Sequence, residues 1–131
     1  VASSSGDIKL DSVSSKDTRI SANSGDVSLG DVVMDNIDLK TSSGNITSGS
    51  IKAKCINGRA SSGDVMIRDC DASEINVVTT SGDVSIGIGS EMKYEYNTKT
   101  SSGDVNVPDS VEGADGKCNI ETSSGDIDVT Q

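Results

Sequence analysis

The tripeptide Ser-Gly-Asp, once written Ser-Gly-Asn, returns with its glycine at Gly6, Gly25, Gly44, Gly63, Gly82, Gly103 and Gly125. Successive spacings are 19, 19, 19, 19, 21 and 22 residues, so the repeat runs through the whole chain. A nearly fixed period close to 20 marks stacked repeats. One unit cannot bury its own apolar face, but neighbours together build a continuous core. The 131 residues fit a single domain of this kind.

Alignment on the glycine gives columns with a physical reading. Two residues on stand Ile8, Val27, Ile46, Val65, Val84, Val105 and Ile127. Four residues on stand Leu10, Leu29, Ser48, Ile67, Ile86, Val107 and Val129, with Ser48 the one polar member. Between them lie mostly polar residues such as Lys9, Ser28, Thr47 and Ser85. Period-two alternation in β-branched residues predicts a short strand after each glycine.

A second strand is expected before each glycine. Seven residues back stand Thr18, Ile37, Ile56, Ile75, Tyr96 and Cys118; five back stand Ile20, Leu39, Gly58, Val77, Thr98 and Ile120. The same parity continues through Ser3, Ala22, Thr41, Ala60, Thr79, Thr100 and Thr122 to an unbroken serine column of Ser5, Ser24, Ser43, Ser62, Ser81, Ser102 and Ser124. Inward side chains that shrink toward the corner suit two sheets converging on a narrow edge. Each repeat thus reads as strand, tight Gly-Asp corner, strand and looser return.

The fold class is all-β: a flattened, single-stranded parallel β-helix or β-solenoid of about seven rungs of 19–22 residues. Parallel crossovers favour the right hand. The two longer intervals place insertions around Gly87-Ile88-Gly89-Ser90 and from Pro108 to Gly116, both turn-rich and expected on loops. Met92, Tyr94 and Tyr96 share the inward parity of the first lengthened rung. The chain starts and stops beside a corner with no capping helix, and solenoid ends need covering. The expectation is one domain, residues 1–131, belonging to a longer protein or covered at an end by a neighbour.

The corner column of Asp7, Asp26, Asn45, Asp64, Asp83, Asp104 and Asp126 is the most tempting chemical feature. Its structural reading is capping, each side chain accepting backbone N–H groups of its own corner as an Asx-turn beside a glycine at positive φ. Like charges stacked one rung apart repel by roughly 1 kcal/mol per pair in water. A hydrogen bond to a charged group contributes about 1.5–3 kcal/mol, so capping wins. Asn45 fits, since Asn caps without a charge. A calcium ladder is the sharper alternative, but calcium takes six to eight oxygens and one column offers too few. No metal and no cofactor are expected.

Composition narrows the function. The chain has no His, Trp or Phe, only two Tyr, and a net charge of −10. Histidine triads, His zinc sites and histidine bases are excluded. The acidic balance and missing stacking platforms argue against nucleic acid. No apolar run approaches the roughly 20 residues of a bilayer span. Arg19, Lys40, Arg59 and Lys99 fall on outward positions without a matching acid constellation. An outward column of Asn57, Asn76, Asn97 and Asn119, preceded by Arg19 and Asp38, is either solvated or a stacked amide ladder. A face of Asn, Lys and Ser can contact glycans. Cys70 and Cys118 share the core parity and Cys55 points out, so free thiols rather than a disulfide framework are expected.

The recurring Thr-Ser-Ser-Gly-Asp-[Val/Ile], at Thr100–Val105 and Thr122–Ile127, resembles a bacterial adhesin-like family, otherwise a domain of unknown function, built from stacked T-S-S-G-D-[VI] repeats. The resemblance implies a β-helix exported to, or anchored at, the cell envelope, and carries no catalytic residues. The resulting expectation is a non-enzymatic surface or envelope β-solenoid acting as an adhesin-like scaffold or binding module. Its partner would be a protein or glycan, its oligomeric state open. The alternatives are a carbohydrate-active β-helix enzyme, with paired acids that break the repeat, and an envelope regulator that docks a partner protein.

Overall fold

The computed structural model describes residues 1–89 and 93–131. Ser90 of the first insertion and Met92 of the inward series lie outside the described residues. Ten strands form one sheet in which every pairing is parallel. They are β1 (Ala2–Ser5), β2 (Ile8–Ser24), β3 (Val27–Ser43), β4 (Ile46–Ser62), β5 (Val65–Ser81), β6 (Val84–Ile88), β7 (Tyr94–Ser102), β8 (Val105–Asn106), β9 (Gly116–Ser124) and β10 (Ile127–Thr130). The chain is a β-solenoid of about seven turns, and no helix occurs among the described residues.

The core lies inside the coil and is built from the expected columns, except that Val105, on the outermost rung with a neighbour on one side only, is exposed. Val27, Ile46, Val65, Val84 and Ile127 are buried, as are Ile37, Ile56, Ile75 and Cys118. The expected loose return is instead regular strand: β2 to β5 each run 17 residues from one corner to the next. Their middle segments bury Val32, Met34, Ile51, Cys70 and Ala72. The alternation simply continues across the return, which gives each rung a third apolar wall. The serine column departs from expectation in the other direction. Ser24, Ser43, Ser62, Ser81 and Ser124 are exposed, and the narrow edge is closed by Ala22, Thr41, Ala60, Thr79 and Thr122. The bend at the corner breaks the inward parity at the residue immediately before the glycine.

Rung order is the largest difference from a simple reading of the repeats. Ile127 pairs with Val84 on one side and Val105 on the other. Thr122 likewise sits between Thr79 and Thr100. The C-terminal rung therefore lies between the fifth and the sixth, and the corner glycines stack in the order 6, 25, 44, 63, 82, 125, 103. This explains both lengthened intervals. After β6 the chain must climb past one rung, roughly 4.8 Å further than elsewhere, to start β7. After β8 it must step back before β9 can enter the gap.

The outermost rung carries its own cover. The loop after β8 folds along the free edge of β7, where Val111 N–H donates to Tyr94 O at 3.0 Å. Tyr96 N–H donates to Ser110 Oγ at 2.9 Å. Pairing an exposed strand edge in this way satisfies a carbonyl and an N–H that would otherwise recruit another chain. Tyr94 and Tyr96 are buried beneath, ring centroids 6.0 Å apart, and the Tyr94 hydroxyl donates to Ala72 O two rungs away. Gly116 makes that reach feasible: a Cβ there would stand 2.5 Å from the Tyr94 ring.

Candidate functional site

Two surfaces repeat in every rung and differ in chemistry. The first is the Gly-Asp corner. Six corner glycines from Gly25 to Gly125 have φ between +149° and +153°, and Gly6 has +143°. At Gly63 an added Cβ would lie 2.0 Å from the Gly44 carbonyl oxygen. Both the dihedral and the close approach of the neighbouring backbone demand glycine.

The corner carboxylates cap, but not within their own turn. Asp26 N–H donates to Asp7 Oδ1 at 2.9 Å, Asn45 N–H to Asp26 Oδ1 at 2.8 Å, and Asp64 N–H to Asn45 Oδ1 at 2.9 Å. The series continues from Asp83 to Asp64 at 3.0 Å, Asp126 to Asp83 at 2.9 Å and Asp104 to Asp126 at 2.8 Å. The Asx-turn expectation is corrected accordingly. Each side chain reaches along the stack, because the open φ of the glycine turns the next N–H toward the neighbouring rung. The ladder follows the true rung order, passing through Asp126 before Asp104. One oxygen of every corner side chain except that of Asp104, at the end of the ladder, is thereby committed to the backbone, and no group of three or more His, Cys, Asp or Glu is gathered for a metal ion among the described residues.

The second surface is the outward face of the strand segments that precede the corners. Three shallow clefts of about 400, 500 and 460 Å³ lie along it. The first and second share Asp38 and Asn57; the second and third share Asn76 and Val78. They form one trough parallel to the stack. Its floor is the amide ladder: Asn97 Nδ2 donates to Asn119 Oδ1 at 3.2 Å, Asn119 to Asn76 at 2.9 Å and Asn76 to Asn57 at 3.2 Å. All three amides donate in the same direction, toward the N-terminal rungs. Aligned amide bonds polarise one another and place the donor end of the row at Asn57. There, among the described residues, Nδ2 meets only the Cys55 thiol, at 3.7 Å.

Charges flank this floor. Arg19 pairs with Asp38 at 3.5 Å and Lys99 with Glu121 at 3.8 Å. Lys40 and Arg59 are register partners on adjacent strands, and neither has a carboxylate within ion-pair distance among the described residues. Sequence reasoning placed these four basic residues outward. It missed that two are neutralised by acids one rung away while the middle two are left facing the trough. The signal was available, since Lys40 and Arg59 occupy one column in consecutive repeats.

The thiols belong to the interior. Burial pushes Cys118 up to about 12, and burial followed by the nearby Cys118 pushes Cys70 up to about 12. Cys55 is half-buried; burial and then Glu74 raise its pKa against the lowering effect of the Asn57 hydrogen bond. All three are free.

The profile of the Toastrack DUF4097 family, a domain of unknown function, matches residues 1–131. No curated protein and no solved structure matches the chain.

Proposed function

The chain belongs to the Toastrack DUF4097 family, and from that premise we propose that it is a non-enzymatic binding module of the cell envelope, an adhesin-like scaffold that presents the amide-floored trough to a partner. The observation that carries this reading is the trough itself. It is a straight polar groove crossing several rungs, with amide donors and acceptors on its floor and basic and acidic groups on its walls. A rigid solenoid holds such groups at a constant rung spacing, so a linear partner meets a preorganised surface and loses little to protein ordering on binding. The envelope placement rests on the likeness of Thr100–Val105 and Thr122–Ile127 to the repeats of adhesin-like proteins. The non-enzymatic reading rests on acids that recur evenly, one per rung, rather than converging in one place.

The test is binding of the purified chain to an array of envelope glycans and to immobilised envelope proteins, beside a variant with a bulky blocker in the trough that adds no cation to the Lys40–Arg59 column, Val78→Glu. Val78 is exposed, so the fold tolerates the change. Retention that the blocker abolishes supports the reading. Retention that it leaves untouched, or turnover of a bound glycan, refutes it.

A further inference from the structure

Resting on the binding-module reading, we infer that Lys40, Arg59 and Asn57, together with Asp38, form a subsite for the carboxylate-bearing sugar of a linear acidic glycan. Four observations converge. Lys40 and Arg59 stand side by side on β3 and β4, without an ion-pair partner among the described residues, in a molecule whose net charge is −10. Flanking cations Arg19 and Lys99 are already engaged by Asp38 and Glu121, so positive charge is concentrated at the centre of the trough. The amide row ends there with its donor end, and Asn57 Nδ2 has only a sulfur partner among the described residues. The cleft at this point has a volume of about 500 Å³, room for a sugar ring.

The mixed character of the subsite selects the ligand class. A guanidinium and an ammonium favour a carboxylate or a phosphate. Asp38 borders the same cleft; with Oδ2 paired to Arg19, its other carboxylate oxygen accepts hydrogen bonds from hydroxyl groups, which a phosphate does not supply when ionised. A polyhydroxylated ring carrying one carboxylate satisfies every group present. Nucleic acid lacks the aromatic platforms it would stack on, and a densely charged polyanion meets the acidic remainder of the surface. An apolar peptide finds only Val78 to rest on.

The experiment is titration of the isotope-labelled full chain with tetragalacturonate and with the neutral galactose tetramer, followed by amide shifts. Expected are shifts at Asn57, Lys40 and Arg59, and at least tenfold tighter binding of the acid tetramer at low salt, weakening as salt rises. Lys40→Gln and Arg59→Gln should each lose about tenfold, with Arg59→Lys losing less. All three changes are at exposed side chains, and an unaltered melting temperature confirms the fold. Equal affinity for the two tetramers, or tighter binding of inorganic phosphate, overturns the carboxylate subsite while leaving the trough a recognition face. Shifts confined to the Asp corners also overturn it. No binding of any glycan or protein in the trough removes both this inference and the reading beneath it.

Discussion

Replacing Gly82 by Ala tests the corner, and replacing Gly58 by Ala in the same assay gives the control. At Gly82, φ is +153° and a Cβ would stand 2.1 Å from the Gly63 carbonyl oxygen, 2.7 Å from its carbon and 3.3 Å from Asp64 Oδ1. The two closest atoms are backbone, so no rotamer change relieves the overlap. The rung must lift away from its neighbour, which strains the bonds across that gap, Gly63 N–H to Ser81 O at 3.1 Å and Asp83 N–H to Asp64 Oδ1 at 3.0 Å. Backbone strain of about 1–3 kcal/mol and loss of a hydrogen bond to a charged group, about 1.5–3 kcal/mol, sum to about 4 kcal/mol. Domains of this size have about 5–15 kcal/mol in all, and the melting temperature should fall by about 15 °C. At Gly58 a Cβ would meet Val77 Cγ2 at 3.7 Å and Cγ1 at 4.0 Å, ordinary contact, in a backbone any residue adopts. Filling that gap and stiffening the unfolded chain should stabilise by about 1 kcal/mol. Thermal and urea unfolding followed by circular dichroism reads both. An unchanged melting temperature for Gly82→Ala, or shifts of the same sign in the two variants, refutes the corner argument.

Four further outcomes follow from the same structure. Ser48 is fully buried with its hydroxyl unpartnered, so Ser48→Ala should raise stability by about 1 kcal/mol in urea unfolding. Asp64→Asn should leave the melting temperature within a degree or two, about what a few tenths of a kcal/mol produce, because Asn45 makes the same bond one rung away; Asp64→Ala should cost about 1 kcal/mol. Cys70 and Cys118 have native pKa values raised to about 12 above the ordinary 9.0. Their contribution to stability is therefore complete below pH 9 and is lost as pH rises toward 12, visible as a falling urea midpoint over that window that a Cys70→Ala, Cys118→Ala variant shows less steeply. Gly116→Val should expel the Tyr94 ring and loosen one end only. Hydrogen exchange should speed up in β7 and β9 while β3 and β4 keep their protection, and uniform loosening would contradict the local account.

The trough shows how far single-column reading carries. Asn57, Asn76, Asn97 and Asn119 were assignable to one outward column by spacing alone, and a stacked amide row was foreseeable. Its direction was not, because each amide can point either way until its neighbours are in place. The charge pattern beside it was hidden for a related reason. Arg19 meets Asp38, and Lys99 meets Glu121, across rungs rather than along the strand. Only lateral pairing shows which cations remain free. The burial of Val32, Met34 and Ala72 in the return could have been read from continued alternation, and an expected loose turn obscured it.

Period, strand alternation and the need for glycine at the corner are properties of the repeat, and the amino-acid order alone determines them. A glycine every 19 residues with β-branched residues at two and four beyond it admits little except a parallel solenoid. Which rung lies beside which is decided elsewhere. The Gly, Asp, Thr and Asn columns are nearly identical in the last three repeats, so the ladders form equally well with corner 103 or corner 125 stacked on corner 82. The contacts that discriminate are few and long-range: Tyr94 reaching over Gly116 to Ala72, the 107–115 loop closing the edge of β7, and the Tyr96 hydroxyl donating to Gln131 at 3.2 Å. Repetition makes a fold easy to recognise and its order degenerate. The tertiary structure breaks that degeneracy with a few long-range contacts, those of Tyr94, Tyr96 and the edge loop, that the repeated columns do not share.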